Sequence, residues 1–125
     1  METGKLVSTQ GMPRLLDLYA EFRVKTTFFF NIDIVKCDPE VVKQVQKQGH
    51  EVACHGLSHE SHQAFDVLSL EDQIRHLTTS KMILEDLCGQ EVVSFRAPAL
   101  RINGNTAIAL AETGFRIDSS VASQR

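Results

Sequence analysis

The fold is decided by residues 25–54, which read KTTFFFNIDIVKCDPEVVKQVQKQGHEVAC. Residues 26–30, which follow Lys25, are β-branched or aromatic. The apolar half of this segment does not alternate with polar residues, which is typical of a strand covered on both faces. Asp38-Pro39-Glu40 then supply an N-cap, a proline suited to the first helical turn and an acid at the amino end of a helix. Gly49 ends this helix, and residues 51–54 form a second short strand. The stretch therefore predicts a strand, helix and strand in succession.

The rest of the chain continues the alternation of strands and helices. The pattern predicts helices from Pro13 to Glu21, from Leu70 to Gly89 and from Asn105 to Thr113, a polar loop over residues 55–68, and strands at residues 92–95 and 115–117. On these helices we expect His76 at the surface, and Ile108 and Ala111 facing the core. Strands that alternate with helices predict an α/β fold with a parallel sheet and right-handed crossovers.

The length of the chain limits how many strands that sheet can have. With 125 residues, 42% of them apolar, and a formal charge of −3, the sequence predicts one globular domain. A βαβ unit takes roughly 30 residues and a closed eight-stranded barrel about 250, so there is room for about four strands. A barrel cannot close with so few.

Charge and cysteine content exclude several classes of protein. Thirteen basic residues against sixteen acidic ones, without a basic block, argue against nucleic-acid binding. No apolar run approaches the ~20 residues that span a bilayer, and residues 1–5 lack the apolar segment of a secretory signal, so a cytoplasmic location is the default expectation. Cys37, Cys54 and Cys88 are odd in number and form no C-x-x-C pair, which predicts reduced, buried thiols.

Polar residues follow each predicted strand. In parallel βα architectures the ligand site lies at the carboxyl ends of the strands. The residues expected directly after the four strands are Asn31, His55, Arg96 and Asp118. This edge of the sheet is therefore the candidate site.

His55 and His59 form the strongest local signal at this edge. They lie four residues apart after a strand, and Gly56 between them permits a tight turn that lets both rings face one point. Neutral imidazole is the usual zinc ligand, but catalytic zinc needs a third protein ligand. His62 is one candidate for a three-histidine metal site, and a solvated loop histidine is the alternative.

Arg96 and the turn that follows it are the second candidate group. A guanidinium suits a carboxylate, so Arg96 is expected either to orient a catalytic acid or to hold an anionic substrate group, with a structural arginine as the alternative. Pro98 constrains the turn, which directs the N–H of Ala99 or Leu100 toward an oxyanion.

Other polar residues near the strands favour structural roles. Residues 118–120 fit an Asx turn, and His50 lies at the opposite edge of the sheet. Cys54 precedes His55 on a strand, where successive side chains point to opposite faces, so a nucleophile and base pair is disfavoured.

Several of these segments resemble motifs of the polysaccharide deacetylase family of carbohydrate esterases, over about residues 15–121. The segments and the family patterns are residues 24–30 with "v-k-a-T-F-F", 49–59 with "G-H-E-i-a-x-H-[ST]-x-x-H", 95–98 with "F-R-x-P" and 114–120 with "G-y-x-x-D-S-S". The sequence departs from these patterns at Gly56, where Ser or Thr is usual, and at Ala99, where an aromatic residue is common.

The resemblance implies a fold, a reaction and roles for individual residues. The fold is a distorted (β/α)7 barrel of the TIM type, and the reaction is metal-dependent removal of acetyl groups from an N-acetylated glycan or similar substrate. A divalent ion, most often Zn²⁺, is expected on His55, His59 and an Asp. Arg96 is expected to orient a second Asp that acts as base, and the N–H of Ala99 to bind the oxyanion.

Two motifs that the resemblance leads us to expect are not present in the sequence. The family's opening "T-F-D-D" motif, which supplies the base and the third ligand, has no counterpart in residues 1–10, and no "L-x-H" motif follows Arg125. Neither Asp33 nor Asp118 occupies the position of a missing acid. We therefore expect residues 1–125 to be one incomplete deacetylase domain whose open barrel favours self-association. A catalytically inactive carbohydrate-binding or regulatory module on the same fold is the alternative.

Overall fold

The chain forms a four-stranded parallel sheet with helical crossovers in a computed structural model that describes residues 6–122. A π-helical turn at Val7–Gly11 leads into the first α-helix, and short 3-10 turns lie at Ser61–Gln63 and Pro98–Leu100. In chain order the elements are α1 (Met12–Glu21), β1 (Thr27–Phe30), α2 (Ile32–Cys37), α3 (Glu40–Lys47), β2 (Glu51–Cys54), α4 (Leu70–Cys88), β3 (Ser94–Phe95), α5 (Thr106–Glu112) and β4 (Ile117–Asp118).

The strands lie in the sheet in the order of the chain, β1-β2-β3-β4, and every neighbouring pair is parallel. A sequential parallel order is the order of a βα barrel, whereas a doubly wound sheet reverses its strand order part-way. Phe30, Cys54, Phe95 and Asp118 form one row across the sheet. The predicted class, a parallel α/β fold with about four strands, is confirmed.

Most predicted helix boundaries are confirmed by their capping contacts. The Asp38 carboxylate accepts a hydrogen bond from the Glu40 N–H at 3.2 Å, ahead of α3. Ser69 Oγ accepts from the Asp72 N–H at 3.1 Å and so caps α4. Gly89 has a φ of +69°, which suits the left-handed end of that helix.

One helix, α2, is not predicted from the sequence. Asn31 Oδ1 accepts a hydrogen bond from the Ile34 N–H at 3.0 Å, so Asn31 is a helix cap rather than a reactive residue. The N–H groups of Ile32 and Asp33 donate to the carbonyls of Gly56 and Leu57 at 3.1 and 3.0 Å. These bonds fasten α2 to the loop after β2.

The core is a continuous apolar cluster in which strand side chains pack with residues of the helices and loops. Fully buried members include Val42, Val45, Phe65, Leu77, Leu84 and Phe95. The prediction for His76 is wrong, because its side chain is only 6% exposed and packs edge-on against Phe65 of the loop at residues 55–69.

The predicted inward face of α5 is also wrong. Ile108 is 47% exposed and Ala111 lies at the surface, whereas Ala109 and Leu110 are buried. The small Ala109 side chain permits close approach to the rest of the core, so the helix is rotated from the predicted orientation.

The third and fourth strands differ in their bounds from the prediction. Val92 is not in β3, because its N–H donates to a Glu85 side-chain oxygen at 2.8 Å and its carbonyl accepts from the Lys81 ammonium, both on α4. Since β4 ends at Asp118, Ser119 is the first residue after that strand.

Two of the three cysteines are buried as predicted. The three cysteines are free; Cys54 and Cys88 are buried as predicted, but Cys37 is partly exposed. Over residues 6–122, none of the helices has the length and apolar character that a membrane crossing requires.

Candidate active site

Three side chains emerge at one level from the carboxyl edge of the sheet: His55, Arg96 and Ser119. Each is the first residue after its strand, and its N–H extends the strand ladder by one hydrogen bond. These bonds run from His55 to the Phe30 carbonyl at 2.8 Å, from Arg96 to Cys54 at 3.0 Å and from Ser119 to Phe95 at 2.8 Å. Of the four predicted positions, His55 and Arg96 are therefore at the site, Asn31 is a cap, and Ser119 takes the place expected for Asp118.

The two candidate metal ligands meet, as the sequence predicts. The Nε2 atoms of His55 and His59 are 2.8 Å apart, and their ring centroids are separated by 4.8 Å. Gly56, with a φ of +74°, forms the turn between them. A Cβ atom there would lie 3.3 Å from Phe65 and 3.4 Å from Pro98, so the close approach of these neighbours favours glycine.

Hydrogen bonding determines which nitrogen of each ring carries the proton. His55 Nδ1 lies 2.6 Å from the Arg96 carbonyl oxygen. A carbonyl can only accept, so Nδ1 is protonated and Nε2 of the neutral ring keeps its lone pair. His59 Nε2 is therefore the donor to His55, and it must give up this proton before it can bind a metal ion.

The environment of His55 favours the neutral form of its ring. Burial lowers the pKa of His55 below its ordinary value, the bond to the Arg96 carbonyl opposes this, and the electrostatic effects of His59 and the Arg96 guanidinium lower it further. A neutral imidazole whose Nδ1 is anchored to a carbonyl is the usual arrangement for a metal ligand.

The pair fits two positions of a metal site. Two zinc bonds of about 2.0–2.1 Å at a tetrahedral angle need Nε2 atoms roughly 3.3 Å apart, so the rings would separate by about half an ångström. The described part of the chain contains no group of three or more His, Cys, Asp or Glu side chains placed to hold a metal. His62 is exposed, and its Nε2 atom lies 3.4 Å from Gln63 Nε2, so the described residues favour the solvated loop histidine over the three-histidine site.

Arg96 is held by neutral groups. Its Nε and Nη2 atoms donate to Ser119 Oγ at 3.2 and 2.6 Å, and Nε also donates to the Ser119 carbonyl at 3.3 Å. The guanidinium carbon lies 4.7 Å from the centroid of the Phe29 ring. The salt bridges found within residues 6–122 do not include Arg96.

The turn after Arg96 is anchored to the end of β4. The Ala97 N–H donates to Ser120 Oγ at 2.9 Å, and the Ser120 N–H donates to the Asp118 carboxylate at 2.9 Å. The second bond confirms the Asx turn that the sequence favours over a reactive Asp118.

Within residues 6–122, the two predicted oxyanion donors differ in whether their N–H group has a hydrogen-bond acceptor. The Leu100 N–H is bonded to the Ala97 carbonyl at 2.9 Å, whereas no acceptor for the Ala99 N–H is found within residues 6–122. Ala99 and Leu100 have φ values of +56° and +58°. Such strain costs roughly 1–3 kcal/mol per residue and is concentrated at functional sites.

A cleft of about 240 Å³ lies beside His59. Its lining includes Asn31, Asp33, Ser58, Glu60 and Ser61. Asp33 reaches this cleft because it lies in the first turn of α2, which the sequence does not predict. The signal that could have shown it is the capping side chain of Asn31.

Two other candidates have structural roles. Cys54 is fully buried, and burial raises the pKa of its thiol to about 11, so it remains protonated and is not a nucleophile. His50 lies at the opposite edge of the sheet, where its Nδ1 accepts a hydrogen bond from the Thr26 N–H at 3.1 Å.

The profile of the polysaccharide deacetylase family matches residues 2–117. The chain belongs to the polysaccharide deacetylase family. A peptidoglycan deacetylase of Helicobacter pylori is 30% identical over 118 residues, which cover 94% of this chain and 39% of that protein.

Solved structures of the deacetylase family share the fold. A Mycobacterium smegmatis protein assigned to the polysaccharide deacetylases is 35% identical, with a TM-score of 0.83 over 91% of this chain and 39% of that one. A CE4 family pseudoenzyme from Bacillus anthracis is 21% identical, with a TM-score of 0.81 over 89% of this chain and 38% of that one. The four strands are thus part of the family's distorted (β/α)7 barrel, and the chain spans about two fifths of these relatives.

Proposed function

We propose that the protein containing this deacetylase domain hydrolyses N-acetyl groups of a glycan in a metal-dependent reaction. The observation that carries the proposal is the convergence of the His55 and His59 Nε2 atoms at 2.8 Å, at the edge of the sheet where barrel enzymes bind substrate. Membership of the family supports the reaction class, and the Helicobacter pylori relative acts on peptidoglycan by its name.

The residues at the site take separate roles in this proposal. His55 and His59 hold a divalent ion, for which zinc fits the imidazole ligands. When bound, such an ion polarises the acetamide carbonyl and lowers the pKa of a water molecule. Arg96 holds an anionic group, and the free N–H of Ala99 donates to the oxygen that gains negative charge.

Zinc calorimetry tests the metal site. The full chain is titrated with Zn²⁺ beside His55→Ala, His59→Ala and, as the matched control, His62→Ala. We expect weak binding, because only two ligands converge, with loss of the signal in the first two variants and no change in the third. Absence of any saturable zinc binding by the wild-type chain overturns the metal role of His55 and His59, and loss of binding in His62→Ala would indicate the three-histidine site.

A catalytically inactive glycan-binding or regulatory module is the second candidate. It is favoured by the absence, within residues 6–122, of a carboxylate grouped with the two histidines. The Bacillus anthracis pseudoenzyme shows that the fold also occurs without activity. We expect no detectable acetate release when this chain is incubated with Zn²⁺ and N-acetylated chitooligosaccharides. Robust release would show that another group completes the site, whereas saturable glycan binding without release favours the module.

A further inference from the structure

We propose that Ser119 is a positioning residue, which fixes the direction of the Arg96 guanidinium and leaves its charge available to a carboxylate ligand. The inference rests on the proposed function, in which Arg96 holds an anionic group. It assigns a separate role to Ser119, which the sequence places only within an Asx turn and a family-like segment, since the predicted fourth strand puts Asp118 at this position.

The geometry shows how one residue controls the guanidinium. Ser119 Oγ accepts hydrogen bonds from both Nε and Nη2 of Arg96, at 3.2 and 2.6 Å, and the Ser119 carbonyl accepts a third from Nε at 3.3 Å. These contacts use the edge of the fork that joins Nε and Nη2. The face of the guanidinium lies over the Phe29 ring at 4.7 Å, so one edge and one face are fixed. Within residues 6–122 no acceptor is found for Nη1 or for the second N–H of Nη2, so these two nitrogens form the free end of the fork.

Ser119 is itself held rigidly enough to act in this way. Its N–H extends the ladder to the Phe95 carbonyl at 2.8 Å. The next residue, Ser120, is bonded both to the Ala97 N–H and to the Asp118 carboxylate, each at 2.9 Å. The end of β4 therefore binds Arg96 and the turn after it through separate, adjacent groups.

Ser119 is uncharged, and this determines what its contact with Arg96 does to the charge of the guanidinium. A carboxylate in place of Ser119 would make the same hydrogen bonds but would neutralise the guanidinium. A hydroxyl orients the fork and removes none of its charge. None of the ion pairs found in the described chain involves Arg96, so its positive charge is available at the edge of the sheet. A carboxylate is the planar anion that an arginine fork binds in a bidentate manner.

Acetate is the probe for this anion site, used with the metal-free full chain at constant ionic strength. Binding is followed by NMR through the side-chain Nε–H signal of Arg96, in the wild type and in Ser119→Ala, Ser119→Thr and Ser119→Asp. We expect Ser119→Ala to weaken acetate binding about tenfold, the usual effect of losing a hydrogen bond to a charged group. Ser119→Thr keeps the hydroxyl and should restore binding. Ser119→Asp keeps an acceptor but cancels the charge, so it should abolish binding.

The Asp variant separates positioning from a merely structural role. If Ser119 only stabilised the fold, Thr and Asp would both rescue it, and their thermal midpoints report whether each variant is folded. Arg116→Ala is the control, because Arg116 is exposed and lies 3.9 Å from Glu91, away from the site. Equal acetate binding in wild type and Ser119→Ala, undiminished binding in Ser119→Asp, or no binding by the wild type overturns the inference. Zinc binding at His55 and His59 is measured separately, so the proposed function can stand when this inference fails.

Discussion

Arg96 serves the candidate site through three separate groups. Its N–H continues the sheet to the Cys54 carbonyl at 3.0 Å, its carbonyl anchors His55 at 2.6 Å, and its guanidinium is bound by Ser119. The backbone groups do not depend on the identity of the side chain. A substitution at Arg96 therefore removes the charge without removing the anchor of His55, which makes the anion and metal roles experimentally separable.

His50 makes the stability of the protein depend on pH. Its Nδ1 accepts a hydrogen bond from the Thr26 N–H, and its ring packs against Tyr19 and Phe28 at centroid distances of 5.6 and 5.3 Å. Burial, and secondarily the charge of Lys25, lower the pKa of His50 in the folded state. Above the unfolded-state pKa of about 6.5 the ring is neutral in both states. As pH falls below that value the unfolded chain takes up the proton first, so stability is lost.

Urea unfolding of wild type and His50→Gln at pH 7.5 and pH 5 measures this contribution. At pH 7.5 we expect the variant to be less stable by roughly 1 kcal/mol, because a buried hydrogen bond is altered. At pH 5 the difference should shrink, since the variant has no imidazole at position 50 to protonate. His62→Gln, at an exposed position, should lose stability with pH as the wild type does. A difference between wild type and His50→Gln that stays constant over this range would contradict the assignment.

At the scale of elements, the sequence predicts the helices whose ends are marked by residues in or next to the helix. Asp38, Ser69 and Gly89 mark helix ends through short-range hydrogen bonds and backbone conformation, which depend on nearby residues alone. For the same reason the pair His55 and His59 could be predicted, because one turn at Gly56 brings the rings together.

The sequence does not predict α2 and places the end of β4 one residue too early, because both depend on contacts with residues distant in the chain. The six residues of α2 include Ile32, Ile34 and Val35, whose β-branched side chains favour strands, and the helix is supported by its bonds to the loop after β2. The end of β4 is set by pairing with Phe95, which no pattern within residues 115–120 reveals. That one-residue difference is why Ser119 could not be predicted as the partner of Arg96.

At the scale of the whole molecule, the sheet formed by the described residues has two unpaired edges, β1 and β4. Parallel sheets are normally covered on both faces, and open edges pair with other chains. Ile117 in β4 is 55% exposed, and Val121, which follows the strand, is 79% exposed. Beside β1 lies a largely apolar cleft of about 170 Å³ whose lining includes Met12 and Phe28. Both edges therefore expose groups that another copy of the chain can cover.

We expect the isolated chain to self-associate through these edges as its concentration rises. Light scattering coupled to size-exclusion chromatography, over a hundredfold range of concentration, measures the mean mass. Ile117→Lys should shift the chain toward the monomer, because a charge at an edge strand opposes pairing. Ile108→Lys is the matched control: Ile108 is 47% exposed on α5 rather than on an edge strand, so its substitution should leave the mass unchanged. A monomer at every concentration, or equal effects of the two substitutions, would show that the open edges do not drive association.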